Sequence, residues 1–132
     1  MQNNLTYQRL WLSLGWLLIA LIVYLSLTPR PFDPVHFNNS DKVEHLLAYG
    51  TLMGWFAQIY RQASQQLKLA IALIGLGISM EFFQRMTHYR TFDYADMLAN
   101  SLGVLIGWAV ARTSLGQTLA YVDERISRRQ RY

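Results

Sequence analysis

Hydrophobic residues along the chain fall into four runs that are separated by short polar segments. The runs cover Leu10–Leu27, Val43–Tyr60, Leu67–Phe83 and about Tyr94–Ala111. The first run contains 18 residues without a formal charge, and a helix of about 17–25 apolar residues spans the hydrocarbon core of a bilayer. Tryptophan and tyrosine residues lie towards its ends, as is typical at membrane interfaces. The pattern predicts a transmembrane helix over the first run.

The three later runs are shorter or more polar than the first. Pro29 and Pro31 end the first helix, because proline lacks an amide hydrogen and restricts the residue before it. Short connections favour antiparallel neighbours, so the predicted fold is all-α, an integral membrane four-helix bundle. A soluble all-α protein would need a polar face on every helix, and the first run has none. A cleaved signal peptide would need a small-x-small site, which residues 26–29 do not offer.

Basic residues divide unevenly between the two ends of the predicted bundle. The end formed by the N-terminus, the 61–68 segment and the C-terminal tail holds eight: Arg9, Arg61, Lys68, Arg112, Arg125, Arg128, Arg129 and Arg131. The other end holds four: Arg30, Lys42, Arg85 and Arg90. Because short loops rich in Lys and Arg stay in the cytoplasm, both termini are predicted to be cytoplasmic. The predicted location is the cell inner (cytoplasmic) membrane, with a multi-pass topology.

Composition narrows the function classes. Charged residues make up 15% of the chain, against about 25% in an average soluble domain. The absence of cysteine excludes disulfides, zinc–thiolate sites, iron–sulfur clusters and thiol nucleophiles. The net charge of +4 would suit nucleic-acid binding, but the membrane orientation already explains where the basic residues lie. No nucleic-acid partner is therefore expected.

The chain divides into a membrane domain over residues 1–111 and a basic tail over residues 112–132. In the tail, Leu115, Leu119, Val122 and Ile126 recur at helical spacing, with arginines off that stripe. This spacing predicts an amphipathic helix that lies on anionic headgroups on the cytoplasmic side. A solvated tail without fixed structure is the alternative.

Polar residues of the three later runs concentrate at the predicted outer end. They are Asp41, Lys42, Glu44 and His45 in the second run, Glu81, Gln84 and Arg85 in the third, and Arg90, Asp93, Asp96 and Asn100 around the fourth. The sequence shows no comparable cluster at the inner end. Charged groups within a membrane are costly, so such a concentration predicts a functional site.

Helical spacing refines this prediction. Asp41, His45 and Tyr49 are four residues apart and share one face of the second helix. Gly50 and Gly54 lie roughly opposite that face, so they are expected to contact a different neighbouring helix.

The fourth helix has a polar stripe that continues into small residues: Asp93, Asp96, Asn100, Gly103 and Gly107 step by three or four positions. The two glycines predict close packing against another helix. Structural roles stay open for the charged residues. Asp41 and Asp93 fit helix N-caps, and ion pairs from Arg85 to Glu81 or from Arg90 to Asp93 or Asp96 would serve stability alone.

Two motifs carry a family resemblance. Residues 41–52 read Asp-Lys-Val-Glu-His-Leu-Leu-Ala-Tyr-Gly-Thr-Leu, and the second motif contains Glu81, Gln84, Arg90, Asp93, Asp96, Asn100, Gly103 and Gly107. Together they resemble the VanZ-like family, marked by an Asp-Lys-x-x-His-x-x-x-Tyr opening and a Glu-x-x-Gln, Arg, Asp-x-x-Asp-x-x-x-Asn-x-x-Gly ending. The resemblance covers roughly residues 10–111. The 85–92 segment lacks the proline that many members carry there.

The resemblance implies an association with resistance to teicoplanin, a lipoglycopeptide that binds peptidoglycan precursors, but it implies no particular reaction. The first functional hypothesis is a site that binds or acts on an envelope lipid or a lipid-linked cell-wall precursor. His45 would be the general acid or base, because histidine titrates near neutral pH, and Glu81 or Asp41 would orient it. The candidate substrate-binding residues are Lys42, Tyr49, Gln84, Arg85, Arg90, Asp93, Asp96 and Asn100.

Two other hypotheses come from different classes. The cluster could be a structural ion-pair network or a partner-docking site in a non-catalytic envelope component. A proton-coupled transporter is disfavoured, because four short helices enclose little room for a pathway. Whether the protein is an enzyme stays open, as does a homo-oligomer. No resident metal or organic cofactor is predicted, although a divalent cation bridging Asp93, Asp96 and a phosphate is left open.

Overall fold

The described residues of this computed structural model are 4–28, 40–87 and 93–132; of Ser40 and Asp41 only the backbone is described. The helices are α1 (Gln8–Leu27), α2 (Ser40–Ile59), α3 (Ala63–Met86), α4 (Tyr94–Ala111) and α5 (Thr118–Arg129), with a 3-10 turn at Ser114–Gln117 between the last two. No strand occurs in the described ranges. The all-α fold class is confirmed, and α3 extends beyond the predicted run at both ends.

Three of the described helices, α1, α3 and α4, are long and apolar enough to cross a membrane. Helix α2 is 20 residues long but is not one of them. Its first turns contain Lys42, Glu44 and His45, which lower its mean hydropathy. The membrane-span prediction is therefore supported for three of its four runs.

Helix α2 packs against α1, α3 and α4, so it lies at the centre of the molecule. Its buried side chains Tyr49, Leu52, Met53, Phe56 and Ala57 form most of the main hydrophobic core. Because three helices surround it, α2 can carry polar residues that a helix facing lipid could not. This central position brings its polar face against other helices.

Glycines allow α2 and α4 to approach very closely. A methyl group on Gly103 would lie 2.4 Å from the Leu46 carbonyl oxygen, and one on Gly107 would lie 2.2 Å from that of Gly50. The glycine surface predicted on the fourth helix is thus used for packing. The expectation that Gly50 faces a different neighbour from His45 is wrong. Both residues contact α4, because such a close approach brings a broad arc of α2 against it.

Helix α5 packs against α1 and α2 at the end opposite His45. Leu119 is buried against Trp11 and Ile59, with Ile126 partly buried beside them. Leu115 and Val122 are exposed. The predicted apolar stripe of the tail is therefore divided, with one part packed on protein and another left exposed.

Candidate functional site

Asp93 begins α4 as its N-cap, with extended backbone angles and a side-chain oxygen that accepts a hydrogen bond from the Ala95 amide at 2.8 Å. Its other carboxylate oxygen accepts from the Lys42 ammonium at 3.1 Å. The Ala95 amide, and after it the Lys42 hydrogen bond, hold the pKa of the Asp93 carboxyl below its usual value. The Asp93 carboxylate therefore caps α4, which is one of the structural roles that the sequence suggested. It also joins α2 to α4 through Lys42.

Within the described residues, Lys42 provides positive charge beside the acidic residues of α4. Its ammonium also lies 3.6 Å from Oδ1 of Asp96, between the two carboxylates. The sequence suggested Arg90 for this role, and Arg90 lies outside the described residues. Among the residues described, no group of three or more His, Cys, Asp or Glu side chains is arranged to hold a metal ion.

His45 is buried, and Asn100 and Asp96 of α4 flank its ring. The Asn100 amide nitrogen lies 3.5 Å from the Gly77 carbonyl oxygen, which can only accept, so its side-chain oxygen faces His45. That oxygen is 2.9 Å from Nδ1 of His45, so in this arrangement Nδ1 donates the hydrogen bond between them. Nε2 points towards Asp96, 3.9 Å from its Oδ2. This spacing is too long for a hydrogen bond.

Glu81 connects α3 to the same group of residues. Its side chain is completely buried, and its Oε1 accepts a hydrogen bond from the Asp93 backbone amide at 2.8 Å. The carboxylate therefore meets the start of α4, where the helix dipole is positive. We call the set Lys42, His45, Glu81, Asp93, Asp96 and Asn100 the polar cluster.

Tyr49 lies one helical turn after His45 on α2 and is 1% exposed. Its hydroxyl is buried and has no hydrogen-bond partner among the described residues. A buried hydroxyl without a partner costs about 1–3 kcal/mol, so such groups are rare unless something else satisfies them. Tyr49 therefore places an unsatisfied buried hydroxyl beside the polar cluster.

The remaining candidate residues lie elsewhere or outside the described part. Gln84 is buried, but its amide donates to the Ser26 carbonyl oxygen at 2.9 Å and so joins α3 to the end of α1. Arg85 is exposed and has no hydrogen bond or ion pair within the described ranges, so the suggested pair with Glu81 is not seen there. The side chain of Asp41, and Arg90 altogether, lie outside the described residues.

The sequence analysis missed a buried carboxylate at the opposite end of the helices. Asp123 of α5 is 4% exposed and accepts hydrogen bonds from the Thr6 and Tyr7 amides at 2.7 and 2.9 Å, and from the Trp11 indole at 2.7 Å. Burial opposes ionisation, but these hydrogen bonds outweigh it and lower the pKa of Asp123. The available signal was that Asp123 follows Leu119 by four positions, on the same helical face.

Two glutamines inside or beside apolar runs were also missed. The Gln58 side-chain oxygen accepts from the Leu119 amide at 2.9 Å and so holds the start of α5. Gln66 donates to the Ala57 carbonyl oxygen at 3.1 Å and accepts from the Trp108 indole at 3.0 Å. These amides join helices at the end opposite the polar cluster, where the sequence pattern alone did not indicate buried polar contacts.

Comparison with known proteins gives the chain a family. The sequence model of the VanZ/LLP1 family matches residues 15–115. An uncharacterized protein of Schizosaccharomyces pombe is 34% identical over 89 residues, which cover 65% of this chain and 54% of that protein. The chain thus spans about half the length of this relative. No solved structure matches the chain.

Proposed function

The chain belongs to the VanZ/LLP1 family, and from that premise we propose that it is a membrane protein whose polar cluster binds the headgroup of an envelope lipid or lipid-linked cell-wall precursor. The cluster would face the outer side of the cytoplasmic membrane, and both termini would be cytoplasmic. All four long helices would cross the bilayer as a bundle, with α2 sheltered by its three neighbours. The excess of basic residues at the end with the termini supports this orientation.

The observation that carries the proposal is the pair formed by His45 and Tyr49 on one face of α2. The His45 Nε2 lies near Asp96 without a hydrogen bond to it, and the buried Tyr49 hydroxyl has no described partner. A network built only to brace helices would have its buried polar groups satisfied. A bound headgroup with hydroxyl or amino groups would supply the missing contacts.

The charges of the polar cluster indicate which part of a headgroup it would meet. Within the described residues, the polar cluster contains three carboxylates, on Glu81, Asp93 and Asp96, and one lysine, Lys42, besides His45. Carboxylates only accept hydrogen bonds when ionised, so they favour hydroxyl or ammonium groups of the ligand. A phosphate of the same ligand would then meet the exposed Arg85, with Arg90 as its second candidate partner.

If the site is catalytic, His45 is the group that would transfer a proton. Its Nδ1 is held by Asn100, which leaves Nε2 as the reactive nitrogen next to Asp96. Altered exposure of a lipid-linked precursor at this site would account for the teicoplanin resistance associated with VanZ-like proteins. No resident cofactor enters the proposal.

A second candidate function has an observation in its favour. Lys42 lies within 4 Å of both Asp93 and Asp96, and Glu81 accepts from the Asp93 amide, so these groups join α2, α3 and α4. Such pairing is what a structural network in a non-catalytic envelope component requires. The cluster would then hold the helices in place while a partner or lipid binds elsewhere.

Lipid retention during purification separates the two functions. The full-length protein, His45→Asn and Asp123→Asn would be extracted in a mild detergent, and retained lipids identified by native mass spectrometry. We expect wild type and Asp123→Asn to retain an envelope lipid or precursor that His45→Asn loses. Equal retention by folded His45→Asn would refute the binding proposal and favour the structural network.

A further inference from the structure

A second polar region lies at the end opposite the polar cluster. A cavity of about 260 Å³ opens where α2 is followed by α3 and where α4 is followed by the 3-10 turn. Two arginines, Arg61 and Arg112, line it together with Gln66, Thr113, Gln117 and three alanines. No acidic residue lines the cavity, so its electrostatic potential favours an anion.

Neither arginine is neutralised by a carboxylate within the described ranges. Arg61 is half-buried, and one guanidinium nitrogen donates to the Gly116 carbonyl oxygen at 3.3 Å. Arg112 lies over the Trp108 ring, with its Cζ 5.1 Å from the ring centroid. A guanidinium has five N–H donors, so both side chains keep donors for an anion. Planar guanidinium groups also match the oxygens of a phosphate.

The surroundings hold both arginines in place. Gln66 is 9% exposed, and its oxygen accepts from the indole of Trp108, which orients the ring beneath Arg112. Gly116 packs so closely that a methyl group would lie 1.8 Å from the Ala111 carbonyl oxygen, and this contact sets the position of the oxygen that Arg61 binds. Because the supports are themselves packed, the arginine donors are preorganised around the cavity.

The first turn of α3 adds positive potential. Ala63, its first residue, lines the cavity, and its N-cap Gln62 makes no side-chain capping hydrogen bond. Uncapped amides at a helix N-terminus favour an anion nearby. The positive potential at the start of α3 adds to that of the two arginines. No acidic residue in the first turn of α3 offsets it.

We propose that this cavity binds the phosphate of an anionic membrane phospholipid. A phosphate could come from a lipid headgroup or from solution, and the position favours the lipid. The cavity lies at the ends of the apolar helices α3 and α4, beside Trp108, and tryptophan is enriched at the depth of the headgroups. Either leaflet contains phospholipid, so this proposal does not depend on orientation.

The test uses the full chain in dodecyl maltoside micelles, with phosphatidylglycerol or inorganic phosphate added at equal concentration. Phosphatidylglycerol is expected to raise the melting temperature of wild type, whereas inorganic phosphate is not. Arg112→Gln should weaken the apparent affinity for phosphatidylglycerol about tenfold, since a direct hydrogen bond from a guanidinium to a phosphate contributes at least on that order. Arg61→Gln should do the same, and the double variant should lose most of the stabilisation.

Arg125→Gln is the matched control. Arg125 lies over Tyr121, with its Cζ 4.9 Å from the ring centroid, so it resembles Arg112 but does not line the cavity. If Arg61→Gln unfolds for want of its Gly116 contact, Arg112→Gln retains that contact and still tests the site. An equal loss in Arg125→Gln would show diffuse attraction and refute the proposal. So would a wild type that phosphatidylglycerol does not stabilise, or that inorganic phosphate stabilises equally. Asp96→Asn should keep the full response, which separates this site from the polar cluster.

Discussion

Replacing Asp96 with asparagine distinguishes a ligand site from a structural brace, because the substitution removes charge while nearly preserving size. The Asp96 carboxylate lies 3.6 Å from the Lys42 ammonium. At an effective dielectric constant of about 20, that attraction amounts to about 4–5 kcal/mol before solvation is considered. Lys42 is 29% exposed along its side chain and keeps its 3.1 Å hydrogen bond to Asp93. The net loss for a pure brace is therefore about 1–3 kcal/mol.

If the polar cluster is a ligand site, Asp96→Asn should change the stability of the protein less than it would in a structural brace. Glu81, Asp93 and Asp96 are like charges within the polar cluster, and neutralising Asp96 relieves repulsion that offsets part of the lost attraction to Lys42. Binding sites commonly keep such unfavourable arrangements at a cost in stability. We therefore expect Asp96→Asn to melt within about 3 °C of wild type, or above it, where 1 kcal/mol corresponds to about 2–8 °C. We also expect it to lose the retained lipid.

Both quantities must be measured on the same preparation. Thermal unfolding in detergent gives stability, and native mass spectrometry gives the lipid retained per folded molecule. The matched control is Asp123→Asn, which removes a buried carboxylate at the opposite end of the helices. A melting temperature lowered by more than about 5 °C, with unchanged lipid per folded molecule, would refute the binding-site reasoning.

Three further predictions follow from the fold. Single cysteines introduced into this cysteine-free chain should react with an impermeant thiol reagent at Asn38 but not at Gln65 in intact cells, and the reverse pattern would overturn the proposed orientation. Gly107→Ala should lower stability by about 1–3 kcal/mol, because its methyl group would meet the backbone of α2, whereas Gly75→Ala, with open space around it, should not. Asp123→Asn should release α5, measured as faster proteolysis of the tail. The pKa of Asp123 is lower in the folded protein than in the unfolded chain, so its stabilising contribution is present above about pH 4. That contribution is lost as the pH falls through the pKa of Asp123 in the folded protein. Tail proteolysis that does not accelerate on acidification would contradict this prediction.

The polar cluster shows how far spacing along a helix can predict a site. The sequence predicts one site for His45, Asp96 and Asn100. Successive helices of an antiparallel bundle run in opposite directions, so every second connection lies at the same end. The structure brings these three side chains into contact distance. The contact between Lys42 and Asp96 could not be predicted from spacing along one helix. Lys42 and Asp96 are 54 positions apart, and their meeting depends on how α2 and α4 are rotated about their axes.

The sequence by itself determined the all-α fold and the helices that can cross a membrane. Lipid offers backbone groups no hydrogen bonds, so a long apolar run must form a helix whatever its neighbours are. This requirement concerns each apolar run separately, so it can be recognised from the sequence of that run alone. Packing between helices is different, because it depends on atoms from segments far apart in the chain. Only the tertiary structure decided that Gly50 and His45 face the same helix and that Asp123 holds α5 against Trp11. The steric fit of several helices at once selects those contacts.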